Sequence, residues 1–202
     1  MEISVTSLQR LPKYLRVLKE LKNQNIEYVS STMVAEELKL NSIQVRKDLA
    51  YVSKNDGKAR VGFKVDELIE DIENFLDLNN THDVIVVGAG RLGQALMNYK
   101  GYENNINIVM AFDNDLKKCD NRKIFHISKL ENLVGRMNIH IAIMTLPKED
   151  AQEVCDLLVR SGIKGIWNFS PVNLKVPDDV KVRNEDLSSS LAVLLKQMND
   201  SE

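Results

Sequence analysis

The chain has 202 residues, of which 44% are apolar and 28% charged, a composition typical of a folded globular protein and not of a disordered one. No apolar run approaches the ~18 residues needed to span a bilayer. The first residues, 1–4, also lack the basic start and apolar core of a signal peptide. We therefore expect a cytoplasmic protein with no membrane partner.

Charge is distributed unevenly along the chain, although the net charge is only −2. Residues 1–66 hold 12 Lys and Arg against 8 Asp and Glu, a net +4, whereas residues 67–202 hold 15 against 21, a net −6. A basic module joined to an acidic one favours a polyanion as the partner of the first module only. Uneven surface charge without a function is the alternative.

The first predicted element is a helix near the N-terminus, with Ser7 as its cap and Pro12 in its first turn. Apolar residues with helical spacing share one of its faces: Leu11, Tyr14, Leu15, Leu18 and Leu21.

Two shorter helices are predicted next, the first over residues 32–38 with Ser31 as its cap. The second starts at the capping pair Asn41-Ser42 and runs to residue 52. Such a pair is typical of a helix-turn-helix, although a plain helical bundle gives the same pattern. The outward-facing polar residues of the second helix are Ser42, Gln44, Arg46 and Lys47.

A turn signal at residues 56–57 is followed by a short run with basic side chains at Lys58 and Arg60, the pattern of a β-wing. A winged helix therefore accounts for about the first 64 residues. A connecting helix over 65–76 and a polar stretch end this domain, which we place at residues 1–80.

Strands and helices alternate in the rest of the chain. This alternation predicts an α/β domain of Rossmann type over residues 81–184, with a parallel sheet and helices on both faces. The predicted strands are 84–87, 106–112, 139–146 and 165–169, with one or two more within 175–182, and the predicted helices are 91–98 and 149–161. A last helix over 185–198, within a terminal segment 185–202, carries an apolar stripe.

The segment from Gly88 to Gly93 has the spacing G-x-G-x-x-G between a predicted strand and a predicted helix. In such a loop Gly88 allows a tight turn, Gly90 lets a pyrophosphate approach the backbone, and Gly93 lets helix and strand pack closely. The next strand ends in Asp113, whose carboxylate can accept both hydroxyls of an adenosine ribose and would repel a 2′-phosphate. The motif predicts NAD(H) in preference to NADP(H), a preference that the neighbouring Lys117 and Lys118 weaken slightly. A glycine turn needed only for packing is the alternative.

Residues suited to catalysis or metal binding are scarce. The three histidines, His82, His126 and His140, lie away from the carboxyl ends of the strands, where ligands sit in this fold. Cys119 and Cys155 lack the spacing of a zinc site, and we interpret both as core residues. We therefore expect neither a metal nor a catalytic residue, and a protein that is not an enzyme.

Seven segments occur along the chain in a recognisable order. They are Arg10-Leu11-Pro12-x-Tyr14-Leu15-Arg16, Gln44-Val45-Arg46-Lys47-Asp48-Leu49, Gly88-Ala89-Gly90-x-Leu92-Gly93, Asn98-Tyr99, Ala111-Phe112-Asp113, Asn168-Phe169-Ser170-Pro171 and Asp186-Leu187. With them the chain resembles, over nearly its whole length, the Rex family of bacterial redox-sensing transcriptional repressors. The resemblance implies a homodimer that holds palindromic double-stranded operator DNA and releases it when NADH binds. It also implies that the last helix swaps into the partner subunit; packing of this helix on its own chain is the alternative.

The motifs and the resemblance together assign residues to each role. Expected DNA contacts are Ser42, Gln44, Arg46, Lys47, Lys58 and Arg60. Expected cofactor contacts are Gly88, Ala89, Gly90, Arg91, Leu92, Gly93, Tyr99, Asp113, Thr145, Leu146, Pro147, Asn168, Phe169 and Ser170. The resemblance implies a switch in which Asp186 of one subunit meets Tyr99 or Arg16 according to the ligand state; an ordinary interface salt bridge is the alternative.

The wing departs from the family pattern, because Tyr51 is followed by Val-Ser-Lys-Asn-Asp-Gly instead of the usual aromatic-glycine sequence. This departure leaves the operator sequence open. Two other functions compete with an NAD(H)-responsive repressor. They are an NAD-dependent oxidoreductase with a fused DNA-binding domain, and a Rossmann domain that binds coenzyme A or another nucleotide.

Overall fold

The computed structural model describes residues 3–55, 57–58, 61–102 and 105–199. The chain divides into two compact units, Met1–Asn80 and Thr81–Glu202. The first unit is mainly helical and the second contains a parallel sheet, so the predicted mixed α/β class is confirmed.

The first unit is built from helices around a small antiparallel ribbon. Its elements are α1 Val5–Asn23, β1 Tyr28–Val29, α2 Ser31–Leu38, α3 Ser42–Val52, β2 Phe63–Lys64 and α4 Val65–Phe75. α2 and α3 are separated by a three-residue turn in which Lys39 adopts a left-handed φ of 53°, and Asn41 caps α3 with its side-chain oxygen. The predicted helix-turn-helix is therefore present.

The wing is short. β1 pairs with β2 in antiparallel fashion, and a single bridge joins Lys58 to Gly62. Gly62 has a φ of +98°, and a side chain there would collide with the backbone of Val29, so the turn into β2 depends on glycine.

One apolar core holds this unit together. Its largest fully buried side chains are Leu11, Tyr14, Leu18, Leu49, Leu68 and Ile72, from α1, α3 and α4. The helical stripe predicted for the first helix is therefore the face that packs on the other helices.

The N-terminal helix begins earlier than the sequence predicts. Ser4 is its cap, accepting a hydrogen bond from the Ser7 N–H at 3.1 Å, so the assignment of the cap to Ser7 is wrong. Pro12 consequently lies inside the helix and not in its first turn. α2 also begins one residue earlier than predicted, because Ser30 and not Ser31 provides the cap. Both differences arise where two serines compete for one capping position.

The second unit contains a six-stranded parallel sheet in the order β5-β4-β3-β6-β7-β8. Its elements are β3 His82–Val87, α5 Arg91–Met97, β4 Ile106–Asp113, β5 Ile124–His126, α6 Leu130–Met137, β6 Ile141–Met144, α7 Lys148–Arg160, β7 Gly165–Asn168, β8 Lys181–Asn184 and α8 Leu187–Asn199. The strand order reverses beside β3, between β4 and β6. In doubly wound sheets, ligands bind at the carboxyl ends of the strands beside such a reversal.

Several predictions for this unit need correction. His126 is the last residue of β5, so the expectation that all three histidines lie away from the carboxyl ends of the strands is wrong for His126. β5 and α6 were not predicted, because β5 has only three residues and α6 carries Gly135 in its interior. A single strand, β8, replaces the one or two predicted within 175–182, and it begins after Pro177. α8 begins at Leu187 and not at Glu185, because the Asp186 carboxylate accepts the Ser188 and Ser189 N–H groups and so ends the non-helical segment.

The two cysteines have different surroundings. Cys155 is fully buried on α7, and burial raises the pKa of its thiol to about 11. Cys119 is only half-buried, in the loop after β4, with its sulfur 3.4 Å from the Asp115 carbonyl oxygen. The expectation that Cys119 is a core residue is therefore wrong. Among the described residues, no helix has the length and apolarity needed to cross a membrane.

Candidate functional site

The glycine loop follows β3 and leads directly into α5. Gly88 has a φ of +98°, and a Cβ there would lie 2.7 Å from the Thr145 carbonyl oxygen. A Cβ at Gly93 would collide with the carbonyl oxygen of Gly88. By contrast, a Cβ at Gly90 meets nothing within 4 Å. Gly88 and Gly93 are thus required by the fold, whereas the space above Gly90 is open to a ligand.

Asp113, at the end of β4, lies against this loop and is 5% exposed. One carboxylate oxygen accepts the Ala89 N–H at 2.8 Å, the other accepts the Asp115 N–H at 2.9 Å, and the Lys118 Nζ lies 3.0 and 3.2 Å from the two. Burial alone would raise the pKa of this carboxyl, but the hydrogen bonds from Asp115, Lys118 and Ala89 outweigh burial and lower it. The group is therefore an anion at neutral pH.

A cavity of about 420 Å³ lies over the loop at the carboxyl edge of the sheet. The expected cofactor residues that line it are Gly88, Gly90, Leu92, Asp113, Thr145, Leu146, Pro147 and Phe169. Asn114 and Asp150, which were not predicted from the sequence, also line it. Their positions depend on the loop after β4 and on the start of α7, which no motif marks.

A second cavity of about 250 Å³ shares Asp113, Asn114, Leu146 and Asp150 with the first. Its other walls include the apolar side chains of Ile127, Val154 and Leu157. A groove with an acid in its middle and an apolar slot at one end suits a nucleotide, because the base is flat and apolar while the ribose carries two hydroxyls. The periodicity of α7 marks Val154 as apolar but does not show that it faces a ligand groove.

Other expected cofactor residues support the groove from below. Ala89 and Gly93 are buried, and Asn168 is fully buried, with its side chain hydrogen-bonded to Ser170, Val172 and Asn184. The Ser170 hydroxyl accepts the Leu146 N–H at 3.1 Å and so fixes the loop after β6. These residues hold the lining residues of the groove in place but do not line the groove themselves.

Arg91 and Tyr99 lie outside both cavities. Arg91 is exposed at the start of α5. Tyr99 is 59% exposed and packs edge-to-face on Tyr102, with ring centroids 5.1 Å apart.

Asp186 borders a third cavity of about 510 Å³, together with Phe169 and Ser170. Phe169 lines both this cavity and the one over the glycine loop. Hydrogen bonds from Ser189 lower the pKa of Asp186, which caps α8. Arg16, the other expected switch residue, is exposed on α1 in the first unit.

The outer face of α3 carries the expected DNA-contacting side chains. Gln44, Arg46 and Lys47 are exposed and Ser42 is half-buried. Arg46 and Lys58 line a common cavity of about 440 Å³, so the helix and the wing border one groove. Arg60 lies outside the described residues.

A buried polar cluster that was not predicted from the sequence joins α3 to α1. Asp48 is 3% exposed and accepts hydrogen bonds from Arg10 at 2.7 and 3.1 Å, from Tyr14 at 2.8 Å and from Gln44 at 2.9 Å. Burial raises the pKa of Tyr14 to about 12, and the Asp48 hydrogen bond adds to this shift. An acid four residues after Gln44 was the available signal, because residues so spaced are neighbours on a helix.

Comparison with known proteins gives consistent matches. The family model described as "Putative DNA-binding protein N-terminus" matches residues 2–50, and the model described as "CoA binding domain" matches residues 79–172. Proteins named redox-sensing transcriptional repressor Rex from Treponema denticola and Carboxydothermus hydrogenoformans are each 43% identical over 198 residues. These alignments cover 96% of this chain and 94% and 95% of those proteins.

Solved structures match as well. The Rex-family repressor RSP in complex with β-NAD+ and operator DNA is 35% identical, with a TM-score of 0.90 over 100% of this chain and 94% of that chain. RSP in complex with β-NADH matches with a TM-score of 0.88 over 100% of this chain and 96% of that chain. The likeness thus extends over both units and over the glycine loop and α3 described above. The chain belongs to the Rex family of redox-sensing transcriptional repressors.

Proposed function

We propose that this protein binds palindromic operator DNA and releases it when NADH occupies the groove over the glycine loop. The observation that carries the proposal is the full-length likeness to RSP, which has been solved both with β-NAD+ and operator DNA and with β-NADH. The two candidate sites of this chain, α3 and the glycine loop, supply the chemistry that each ligand needs.

The groove in the second unit suits NAD(H). The open space above Gly90 admits a pyrophosphate, the Asp113 anion suits the hydroxyls of a ribose, and the apolar slot suits the adenine. When bound, the nicotinamide supplies a ring that is cationic when oxidised and neutral when reduced. Release of DNA by NADH therefore requires that the two forms favour different states of the protein, because equal affinities would shift no equilibrium.

The first unit suits DNA. α3 is the second helix of a helix-turn-helix, and it exposes the polar Gln44 and the basic Arg46 and Lys47 beside the apolar Ile43 and Tyr51. Lys58 on the wing adds a cation to the same groove. The net charge of +4 over residues 1–66 favours a polyanion.

A homodimer is the assembly that we propose. None of the residues of α8 is buried, yet Leu187, Leu191 and Leu195 recur on one side and are 67%, 56% and 53% exposed. An apolar helix of this kind is stabilised by burial, and a second copy that exchanges its segment 185–202 would provide it. Two copies related by a dyad also match a palindromic site.

We infer that the bound dinucleotide is sensed and not turned over, and that the protein acts in the cytoplasm as a regulator and not as an enzyme. Its relatives are named repressors. Arg16, Tyr99 and Asp186 are the side chains that we propose for the signal. Asp186→Ala should leave NADH binding in place while the effect of NADH on operator affinity shrinks towards zero. An ordinary interface role for Asp186 predicts weaker dimers with a full NADH response.

The direct test is operator binding by the purified protein, titrated in parallel with NADH, NAD+ and coenzyme A. We expect NADH to release the DNA at concentrations where NAD+ does not, and coenzyme A to have no effect. Release by coenzyme A, or equal release by both forms of NAD, would contradict the proposal. Steady oxidation of NADH by added carbonyl compounds would favour the oxidoreductase interpretation.

A further inference from the structure

The orientation of the Gln44 side chain is fixed by a neighbour on its own helix. Its Nε2 lies 2.9 Å from the Asp48 Oδ1. An ionised carboxylate only accepts hydrogen bonds, and in a primary amide only the nitrogen donates, so the amide cannot turn round without losing this bond. The bond therefore turns Nε2 and one of its two hydrogens towards Asp48 and leaves the Oε1 acceptor at the opposite end of the amide, while the second Nε2 hydrogen remains a donor.

Asp48 is itself immobile, which makes it an effective anchor. The Arg10 guanidinium binds both of its oxygens, and the Tyr14 hydroxyl donates to Oδ2 at 2.8 Å. The Ser7 hydroxyl accepts from the same guanidinium at 3.0 Å. Four hydrogen bonds fill the four lone-pair positions of the carboxylate, three of them from α1, so it cannot rotate to follow a moving glutamine.

Gln44 lies where a DNA-reading helix meets the base edges. It belongs to the first turn of α3 and is exposed, and the first turns of recognition helices contact bases in the major groove. The groups that an acceptor oxygen can meet there are the exocyclic amines of adenine and cytosine. Guanine and thymine present carbonyl oxygens at the corresponding positions.

We propose that Asp48 is a specificity-determining residue of the operator contact, because it presents Gln44 to DNA as a hydrogen-bond acceptor that selects adenine or cytosine over guanine or thymine. Asp48 acts through Gln44 and touches no base, so its role is that of a positioning residue. This inference rests on the proposed DNA-binding function and adds the chemical class of base that one helix position reads.

The experiment uses the full-length protein and a pool of DNA duplexes with a randomised palindromic half-site, from which bound sequences are recovered and counted. The half-site position read by Gln44 is the one whose preference disappears in Gln44→Ala. We expect the wild-type protein to favour adenine or cytosine there by about three- to tenfold, the range of one net hydrogen bond. This comparison needs no change at Asp48, so it stands even if variants at that buried position fold poorly.

Asp48→Asn tests the anchor itself, because asparagine can accept from or donate to Gln44 and no longer fixes the amide. We expect the preference to fall towards parity at that position while preferences elsewhere in the half-site remain. Adding Asp48→Asn to Gln44→Ala should change nothing further there.

Arg10→Lys is the matched control, because it weakens the same cluster while lysine keeps a cation beside Asp48, Tyr14 still donates to the carboxylate, and the Asp48–Gln44 bond is not changed. We expect it to lower stability or overall affinity and to leave the base preference unchanged. A merely structural Asp48 predicts that Asp48→Asn and Arg10→Lys both reduce affinity equally for all four bases.

Three results would overturn the inference: a wild-type preference for guanine or thymine at the Gln44 position, a preference that survives Asp48→Asn, or an equal loss in Arg10→Lys. Recovery of no preferred sequence by the wild-type protein would instead contradict the repressor function together with the inference. The two failures are therefore distinguishable.

Discussion

Each unit of the protein contains a buried carboxylate beside its candidate site, and the two are held in different ways. Asp48 in the first unit is surrounded by side chains, with Arg10 and Tyr14 from α1 fixing it in place. Asp113 in the second unit is held by two backbone N–H groups and by Lys118, whose side chain is 38% exposed. A ligand can displace an exposed lysine more readily than a guanidinium whose side chain is mostly buried, as that of Arg10 is. Asp48 is therefore a permanent part of the fold, whereas the ribose contact that we propose for Asp113 would replace only its exposed partner, Lys118.

The largest effect expected from this comparison is loss of the first unit's stability in Asp48→Ala. Removing the acid leaves the mostly buried Arg10 without its partner, which typically costs about 3–5 kcal/mol. Chemical denaturation followed by circular dichroism measures the change. Asp66→Ala is the control, because Asp66 pairs with Lys22 on the surface at 2.9 Å and such pairs contribute about 1 kcal/mol or less. Equal losses in the two variants would show that Asp48 is not structurally special.

The next effect concerns operator binding by α3, which the Asp48 cluster holds against α1. Arg46→Ala should weaken binding to the preferred operator by about 1–3 kcal/mol if Arg46 makes a bidentate base contact, and should leave NADH affinity unchanged. Gel-shift titration at one salt concentration measures the change. Lys13→Ala removes an exposed charge from α1 and should have a much smaller effect. Undiminished operator affinity in Arg46→Ala would contradict the proposed placement of α3 in the major groove of DNA.

The Asp48 cluster should also give the first unit an alkaline limit. Tyr14 has a pKa raised from 10.0 to about 12 in the folded state, so the folded protein keeps its proton at a pH where the unfolded chain has lost it. This contribution is complete below about pH 10 and is lost as the pH rises to about 12. The resulting fall in unfolding free energy, about 1 kcal/mol at pH ~11, should be absent in Tyr14→Phe. Tyr28→Phe is the control and should retain the wild-type dependence. If the unfolding free energy of Tyr14→Phe falls with rising pH as steeply as that of the wild-type protein, Tyr14 is not the group whose titration causes the fall.

The smallest expected effect concerns the ion pair between Asp113 and Lys118, which we expect a bound ribose to replace. Lys118 occupies both carboxylate oxygens, where the two hydroxyls of a ribose would bind. Lys118→Ala should therefore raise NADH affinity, by up to about fivefold, because a partly exposed ion pair contributes about 1 kcal/mol or less. NADPH affinity should fall in the same variant. Calorimetric titration measures both, with Lys117→Ala as the control. A fall in NADH affinity would instead make Lys118 a direct ligand contact.

The contrast between the two carboxylates also explains what the sequence could predict. The glycine loop and Asp113 follow a local spacing that backbone geometry imposes, so their meeting point could be predicted. The helix-turn-helix was predictable for the same reason, from caps and periodicity. The Asp48 cluster was not, because it joins residues 38 positions apart through packing of α1 against α3. The apolar slot behind Val154 and Leu157 depends likewise on how α7 is rotated against the sheet.

Short or ambiguous elements account for the remaining differences. β5 has three residues, too few for a periodic signal, and α6 contains a glycine. Where two serines stood near one helix start, at Ser4 and Ser7, propensity alone could not select the cap. Cys119 was assigned to the core because cysteine is usually buried, yet it follows β4 in a polar loop.

The central claim is that NADH acts on DNA binding through the groove over the glycine loop, and Gly90→Val tests it most directly. Gly90 has a φ of −73° and open space above it, so valine fits the fold while filling the position that a pyrophosphate needs. Gly135→Val, at another glycine with open surroundings, is the matched control. Operator affinity is measured for each protein with and without saturating NADH. We predict that NADH releases the wild-type and Gly135→Val proteins from DNA. The operator affinity of Gly90→Val should be the same with and without NADH. Release of Gly90→Val by NADH at wild-type concentrations would contradict the account.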